Sequence, residues 1–169
     1  MPPDRYDGAV DGARLPSLGP HGEGWVAIQA VIFLVIAIGG LAGPAWDDQI
    51  RLVSGVLGAA CFITGNVLAV RGLLGLGSNL TPMPRPRPGT TLVTGGPYSL
   101  VRHPIYGGLV IGATGWGLLT ASLVSLAGAA TLLVFFDLKS RREEAWMVES
   151  VDGYEQYRRG RRRLIPFVY

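Results

Sequence analysis

Two short stretches hold most of the side chains able to do chemistry. One carries Tyr98, Arg102, His103 and Tyr106; the other carries Lys139, Arg141, Arg142, Glu143 and Glu144. An imidazole, two phenols, a carboxylate pair and several cations can move protons, orient an anionic group or hold a charged ligand. Metal chemistry is not expected. Cys61 is the only cysteine, which excludes a disulfide framework and a cysteine metal site, and its apolar surroundings read as packing. There is no phosphate-binding loop and no HExxH motif, and no glycine cluster sits between a strand and a helix as a dinucleotide fingerprint requires.

What must position these groups is apolar. From Ile105 to Phe136 no charge appears in 32 residues, too long for one membrane span and short for two. The pattern predicts a tight hairpin turning at Thr120–Ala121–Ser122, with short helices over 105–120 and 121–137. Its open ends would bring both reactive stretches to one depth at the membrane edge. Ionisable groups there that face protein are functional candidates. The plainer alternatives are arginines that anchor the chain and glutamates on a solvated face, and composition does not choose between them. Gly107, Gly108, Gly112, Gly115 and Gly117 thin the first of these helices, which suits a ligand beside it or close helix packing equally.

Two more charge-free runs precede the hairpin. Residues 24–43 are twenty in number, and a rise of about 1.5 Å per residue carries such a helix across a hydrocarbon core of about 30 Å. Trp25 and Trp46 stand at its ends, where their rings favour the headgroup level, and Pro44 with Asp47–Asp48 closes it. The second run, 52–70, lies between Arg51 and Arg71. It offers Gly55, Gly58 and Gly65 for close approach and Asn66 for a bond to a neighbouring helix.

Composition agrees. The 169 residues suit one domain, 49% are apolar, 25 more are glycine, and 16% are charged, against about 25% in a soluble domain. Mean hydropathy is +0.34. The expectation is an all-α integral membrane protein with about four spans, which excludes a soluble enzyme fold, an all-β sandwich and a disordered regulator. The net charge of +3 does not point to nucleic acid, because the basic residues flank apolar runs. The polar segment 1–23 lacks the layout of a secretory signal. Four basic residues lie between Arg71 and Arg102 and eight follow Phe136, whereas the 44–51 loop holds one. Placing the first two groups in the cytoplasm puts both termini there.

Two polar segments remain. Residues 77–104 carry alternating prolines from Pro82 to Pro88, read as a stiff polyproline spacer, then an extended piece from Thr90 to Thr94 and a turn at Gly95-Gly96-Pro97. The tail, 138–169, is expected to form an amphipathic helix whose Trp146, Val148, Val151 and Tyr154 cover the bilayer surface or the core, ending at Gly153.

Gly96-Pro97-Tyr98-Ser99-Leu100-Val101-Arg102-His103-Pro104-Ile105-Tyr106-Gly107-Gly108 resembles the GxY…RHPxYxG signature of the isoprenylcysteine carboxyl methyltransferase family and of the related phospholipid methyltransferases. Arg142-Glu143-Glu144, Gly153-Tyr154-Glu155-Gln156-Tyr157 and Arg162-Arg163-Leu164-Ile165-Pro166-Phe167 are similar to the same family's tail. The resemblance covers roughly residues 80–169. It implies a small helical membrane enzyme that uses S-adenosylmethionine in a cytoplasm-facing pocket roofed by the tail, and a lipophilic substrate that enters from the bilayer. Carried over by position, it implies cofactor contacts at Thr90, Thr91, Leu92, Val93, Tyr98, His103, Pro104, Ile105, Tyr106 and Glu143. Lys139 stands where the family places a catalytic arginine, so the charge is kept but the planar two-pronged grip on a carboxylate is not. Lys139 or Arg142 would orient a carboxylate nucleophile; an amine would need a proton acceptor, for which Glu144 or His103 is the candidate.

Three readings follow: a methyltransferase acting on a lipophilic carboxylate, one acting on a lipid amine or thiol, and a non-catalytic membrane protein that binds lipid or a partner. No metal and no nucleic acid is expected in any of them.

Overall fold

The computed structural model describes residues 14–42 and 46–165, and the described residues are helical with no strand. The sequence-based expectations for residues 1–13, 43–45 and 166–169 lie outside them, including Pro44 and the Pro166-Phe167 end of the tail motif. Among the described residues five α-helices follow in order: α1 Glu23–Leu41, α2 Asp48–Leu76, α3 Pro104–Leu119, α4 Leu123–Ser150 and α5 Tyr154–Arg159. Helices α1, α2 and α4 are long and apolar enough to cross a membrane, and α3 is a shorter apolar helix. Ile28, Val31, Leu34 and Ile38 on α1 and Leu52, Val56, Ile63 and Leu74 on α2 stand exposed. An apolar belt of that size belongs against lipid.

The helix limits follow local chemistry. The Asp47 carboxylate accepts from Ile50 N at 3.0 Å and caps α2, so the helix begins before Arg51. It runs past Arg71 and stops where Gly77 turns to φ +51. Pro104 opens α3, a position where its missing N–H costs nothing. The hairpin turns at Thr120–Ala121–Ser122, with Ser122 Oγ accepting from Ser125 N at 3.2 Å to start α4. The fourth span, expected to end at 137, continues without a break into the tail. No Gly or Pro lies between Ala129 and Ser150, and the helix yields only at Val151, before the left-handed Gly153.

Side chains decide how the helices assemble. On α1, the backbone carbonyls of Ile36 and Gly39 accept from Ser125 Oγ at 2.8 Å and Ser122 Oγ at 2.7 Å, which pins the hairpin turn to the first span. Trp25 points inward rather than to the headgroups: it is buried, its ring lies 5.6 Å from that of Phe135, and its indole donates to Pro16 O. The core gathers Trp25, Ile36, Val110, Leu132, Phe135, Phe136 and Leu164.

Helices α2 and α3 approach backbone to backbone. A Cβ placed on Gly108 would lie 2.6 Å from both Ala69 N and Gly65 O, and Gly58 faces Gly115 in the same way. Gly107 is covered by the tail carbonyl of Leu164. The thinness of α3 is therefore taken up by packing, not by a ligand. Asn66 donates to Phe62 O of its own helix at 2.7 Å instead of reaching a neighbour.

Replacing Gly65 by Leu should push α2 from α3 and lower stability by at least about 1–3 kcal/mol, the usual cost of overpacking. The check is the Tm of detergent-solubilised protein. Gly55→Leu, whose added Cβ meets nothing within 4 Å, should leave Tm unchanged.

Candidate functional site

The residue before a proline is kept out of the helical region, and His103 accordingly sits at φ −125, ψ 65, just ahead of α3. That turns its imidazole over Tyr106, ring planes 3° apart and centroids 5.4 Å apart. Tyr106 stacks in turn on Phe136 of α4 at 4.4 Å and 7°. Three parallel rings thus bridge α3 and α4. The Tyr106 hydroxyl donates to Glu143 Oε2 at 2.8 Å, which fixes the phenol at both ends.

Behind this stack lies a buried charge cluster. Glu144, 2% exposed, meets His103 Nε2 at 3.0 Å, Arg102 Nε at 2.9 Å and Arg163 Nε at 3.4 Å. Arg163 also reaches Asp137 Oδ1 at 2.9 Å, and Arg141 takes the other Asp137 oxygen at 2.9 Å. A carboxylate so far from water needs such partners. The tail is tied down alongside by main-chain bonds, Arg102 N to Arg162 O and His103 N to Arg163 O, both 2.9 Å. Leu164 beyond them is fully buried.

Between the tail and the helices is a cavity of about 450 Å³, within the range of small-molecule sites. Its floor is Ala69, Leu73 and Leu76 of α2 with Ile105, Tyr106 and Leu109 of α3. Lys139, Glu143 and Met147 of α4 form one wall, and Thr90, Thr91, Leu92 and Val93 form another. The latter four are extended but belong to no strand; Asn79 holds them by accepting from Thr91 N and donating to its hydroxyl, each at 3.1 Å.

Of the residues singled out from the sequence, Thr90, Thr91, Leu92, Val93, Tyr98, His103, Ile105, Tyr106, Glu143 and Lys139 all line this cavity. Three do not. Pro104 packs toward Gly72, Arg142 lies over the Trp146 ring at 4.4 Å, and Glu144 stands behind His103 in the charge cluster.

Other lining residues were not foreseen. Pro82, Pro84 and Pro86, read as a spacer, are part of the wall, because Arg85 folds the loop back through Pro20 O at 3.1 Å and His21 O at 3.4 Å. Tyr154 and Tyr157 line it from α5, within the tail that the resemblance implies as a roof, though it names neither as a contact. Gln29 of α1 also lines the cavity; it is the one amide in an otherwise apolar run.

The phenols outside the spans are held as donors. Burial pushes Tyr98 and Tyr154 well above the ordinary phenol range and Tyr157 up to about 12. Tyr157 donates to Tyr98 O at 2.6 Å, and Tyr98 donates to Gly72 O at 3.2 Å, linking roof to floor.

A family profile described as phospholipid methyltransferase matches residues 53–152. A cobalt-zinc-cadmium resistance protein of Cupriavidus metallidurans is 28% identical over 72% of this chain and 51% of its own length. The protein-S-isoprenylcysteine O-methyltransferase of Schizosaccharomyces pombe is 42% identical over 46% of this chain and 34% of its own. A nickel-cobalt-cadmium resistance protein of Alcaligenes xylosoxydans xylosoxydans is 26% identical over 83% of this chain and 64% of its own. The chain thus spans less than two thirds of each of these relatives.

Glu144→Gln removes the charge that three cationic or protonatable side chains share. The expected loss is about 3–5 kcal/mol, as when one partner of a buried pair is deleted. Thermal unfolding in detergent tests this against Glu149→Gln, an exposed position on the same helix that should change nothing.

Proposed function

Because the chain belongs to the phospholipid methyltransferase family, we propose that the cavity under its tail binds S-adenosylmethionine and passes the methyl group to a lipophilic acceptor at a carboxylate. The observation that carries this reading is the convergence of Thr90–Val93, Tyr106, Glu143 and Lys139 on one covered cavity.

The residues suit such a cofactor. Glu143 keeps one oxygen on the Tyr106 hydroxyl and has its other for an ammonium group or ribose hydroxyls. The Tyr98 and Tyr106 rings offer faces to a flat base or a nearby cation, and Leu92 and Val93 give apolar contact. When bound, the cofactor supplies an electrophilic methyl on a sulfonium. Everything else falls to the chain's own side chains.

Methyl transfer is an in-line displacement, so positioning does most of the work, worth up to about 7–11 kcal/mol in well-oriented reactions. Tyr106, clamped between His103 and Phe136, cannot swing out of place. The tail residues paired to Arg102 and His103 keep water from the site. Lys139, buried at the cavity wall, orients the acceptor's carboxylate, which needs no base. An amine acceptor would need one, and His103 Nε2 is already engaged by Glu144. The acceptor's chain lies along Leu73, Leu76 and Leu109, with the cavity and both termini on the cytoplasmic side, as the distribution of basic residues favours.

Calorimetry with S-adenosylhomocysteine, the expected product, tests the cofactor. The folded wild type should bind it saturably, and Glu143→Ala should weaken binding by about tenfold or more, the worth of a charge-assisted bond. Absence of binding to folded wild type sinks the proposal.

A further inference from the structure

Among the described residues, four cations packed into the fold have carboxylate partners. Arg102 and Arg163 share Glu144, Arg141 and Arg163 share Asp137, and Arg158 meets Glu155. Lys139, 3% exposed and more deeply buried than any of them, is in no ion pair among the described residues. Its ammonium donates to Gln29 Oε1 at 2.6 Å and lies over the Tyr106 and Phe136 rings at 5.1 and 5.9 Å. Glu143, one helical turn on, acts on it through its field but makes no ion pair with it.

A neutral amide and two ring faces compensate a buried charge only in part. The ammonium has three donors, and the described structure uses one on Gln29. Gln29 spends its oxygen on that bond, leaving two amide N–H donors beside the same cavity. Between them the two side chains present several donors and one positive charge to the cavity. Gln29 belongs to α1, outside the 53–152 stretch that the family profile matches.

We infer that Gln29 and Lys139 together form the subsite that receives the anionic group of the lipophilic acceptor, with Gln29 the residue that leaves the charge of Lys139 free for the ligand. This rests on the methyltransferase reading for what the ligand is used for, but the subsite can be measured without the cofactor. An acidic residue at position 29 would neutralise the ammonium and close the site to anions. Glutamine holds the same nitrogen in place and keeps its charge available.

The probes are dodecanoate and dodecanamide, equal in shape and differing in charge, titrated into the full chain in neutral detergent and followed by tryptophan fluorescence. Wild type should prefer the carboxylate by about tenfold or more, as for one desolvated charge pair. Lys139→Met and Gln29→Glu should each erase the preference. Gln29→Glu is nearly isosteric, and an unchanged Tm shows it folds. Equal binding of both probes by wild type, or an undiminished preference in Gln29→Glu, overturns the inference. If S-adenosylhomocysteine fails to bind while the carboxylate preference follows these substitutions, the cofactor reading falls and the anion subsite stands.

Discussion

One buried carboxylate organises the molecule. Glu144 sits on α4, yet its partners come from the segment before α3 (Arg102, His103) and from the tail (Arg163). Removing a carboxylate from water is unfavourable by several kcal/mol, and only a full set of donors offsets it. Those donors are present only when three separate parts of the chain meet. Glu144 itself does not line the cavity, but its partners Arg102 and His103 do. It holds His103 from behind, His103 stacks on Tyr106, and Tyr106 presents Glu143 to the cavity.

The membrane supplies the second constraint. Lipid-facing surface cannot drive helices together, so close backbone packing must do it. Along α2 and α3 glycines meet glycines, and any side chain there would collide with main chain. That tight pair leaves α4 to widen the bundle with aromatic residues, Phe135 and Phe136, and then to carry its charged second half beyond them. The cavity opens where the glycine seam ends and the rings begin. Its walls are therefore stiff: a polyproline loop, a three-ring stack and a tail fastened by main-chain bonds.

The part that matches the family, 53–152, holds most of α2 and all of α3 and α4. Outside that stretch, α1 and α5 bring Gln29, Tyr154 and Tyr157 to the cavity.

Much of this was legible in the chain itself. Charge-free runs announced membrane helices, because no water is available there to solvate a charge, and a run of 32 residues, too long for one span, announced the turn at Thr120–Ala121–Ser122. Tyr98, His103, Tyr106, Lys139 and Glu143 stood out by type and by motif, and all line the cavity. The tertiary structure decided what one-dimensional spacing cannot carry. Neighbouring Glu143 and Glu144 point to different places, because successive helix positions are turned about 100° apart and only one of them faces the cavity. The prolines of 82–86 became a wall through a loop that folds back onto residues 20 and 21. Gln29 met Lys139 across 110 residues of chain, a contact only helix packing could make. Periodicity reports which face of a segment is apolar; which partner that face meets depends on how the whole chain closes.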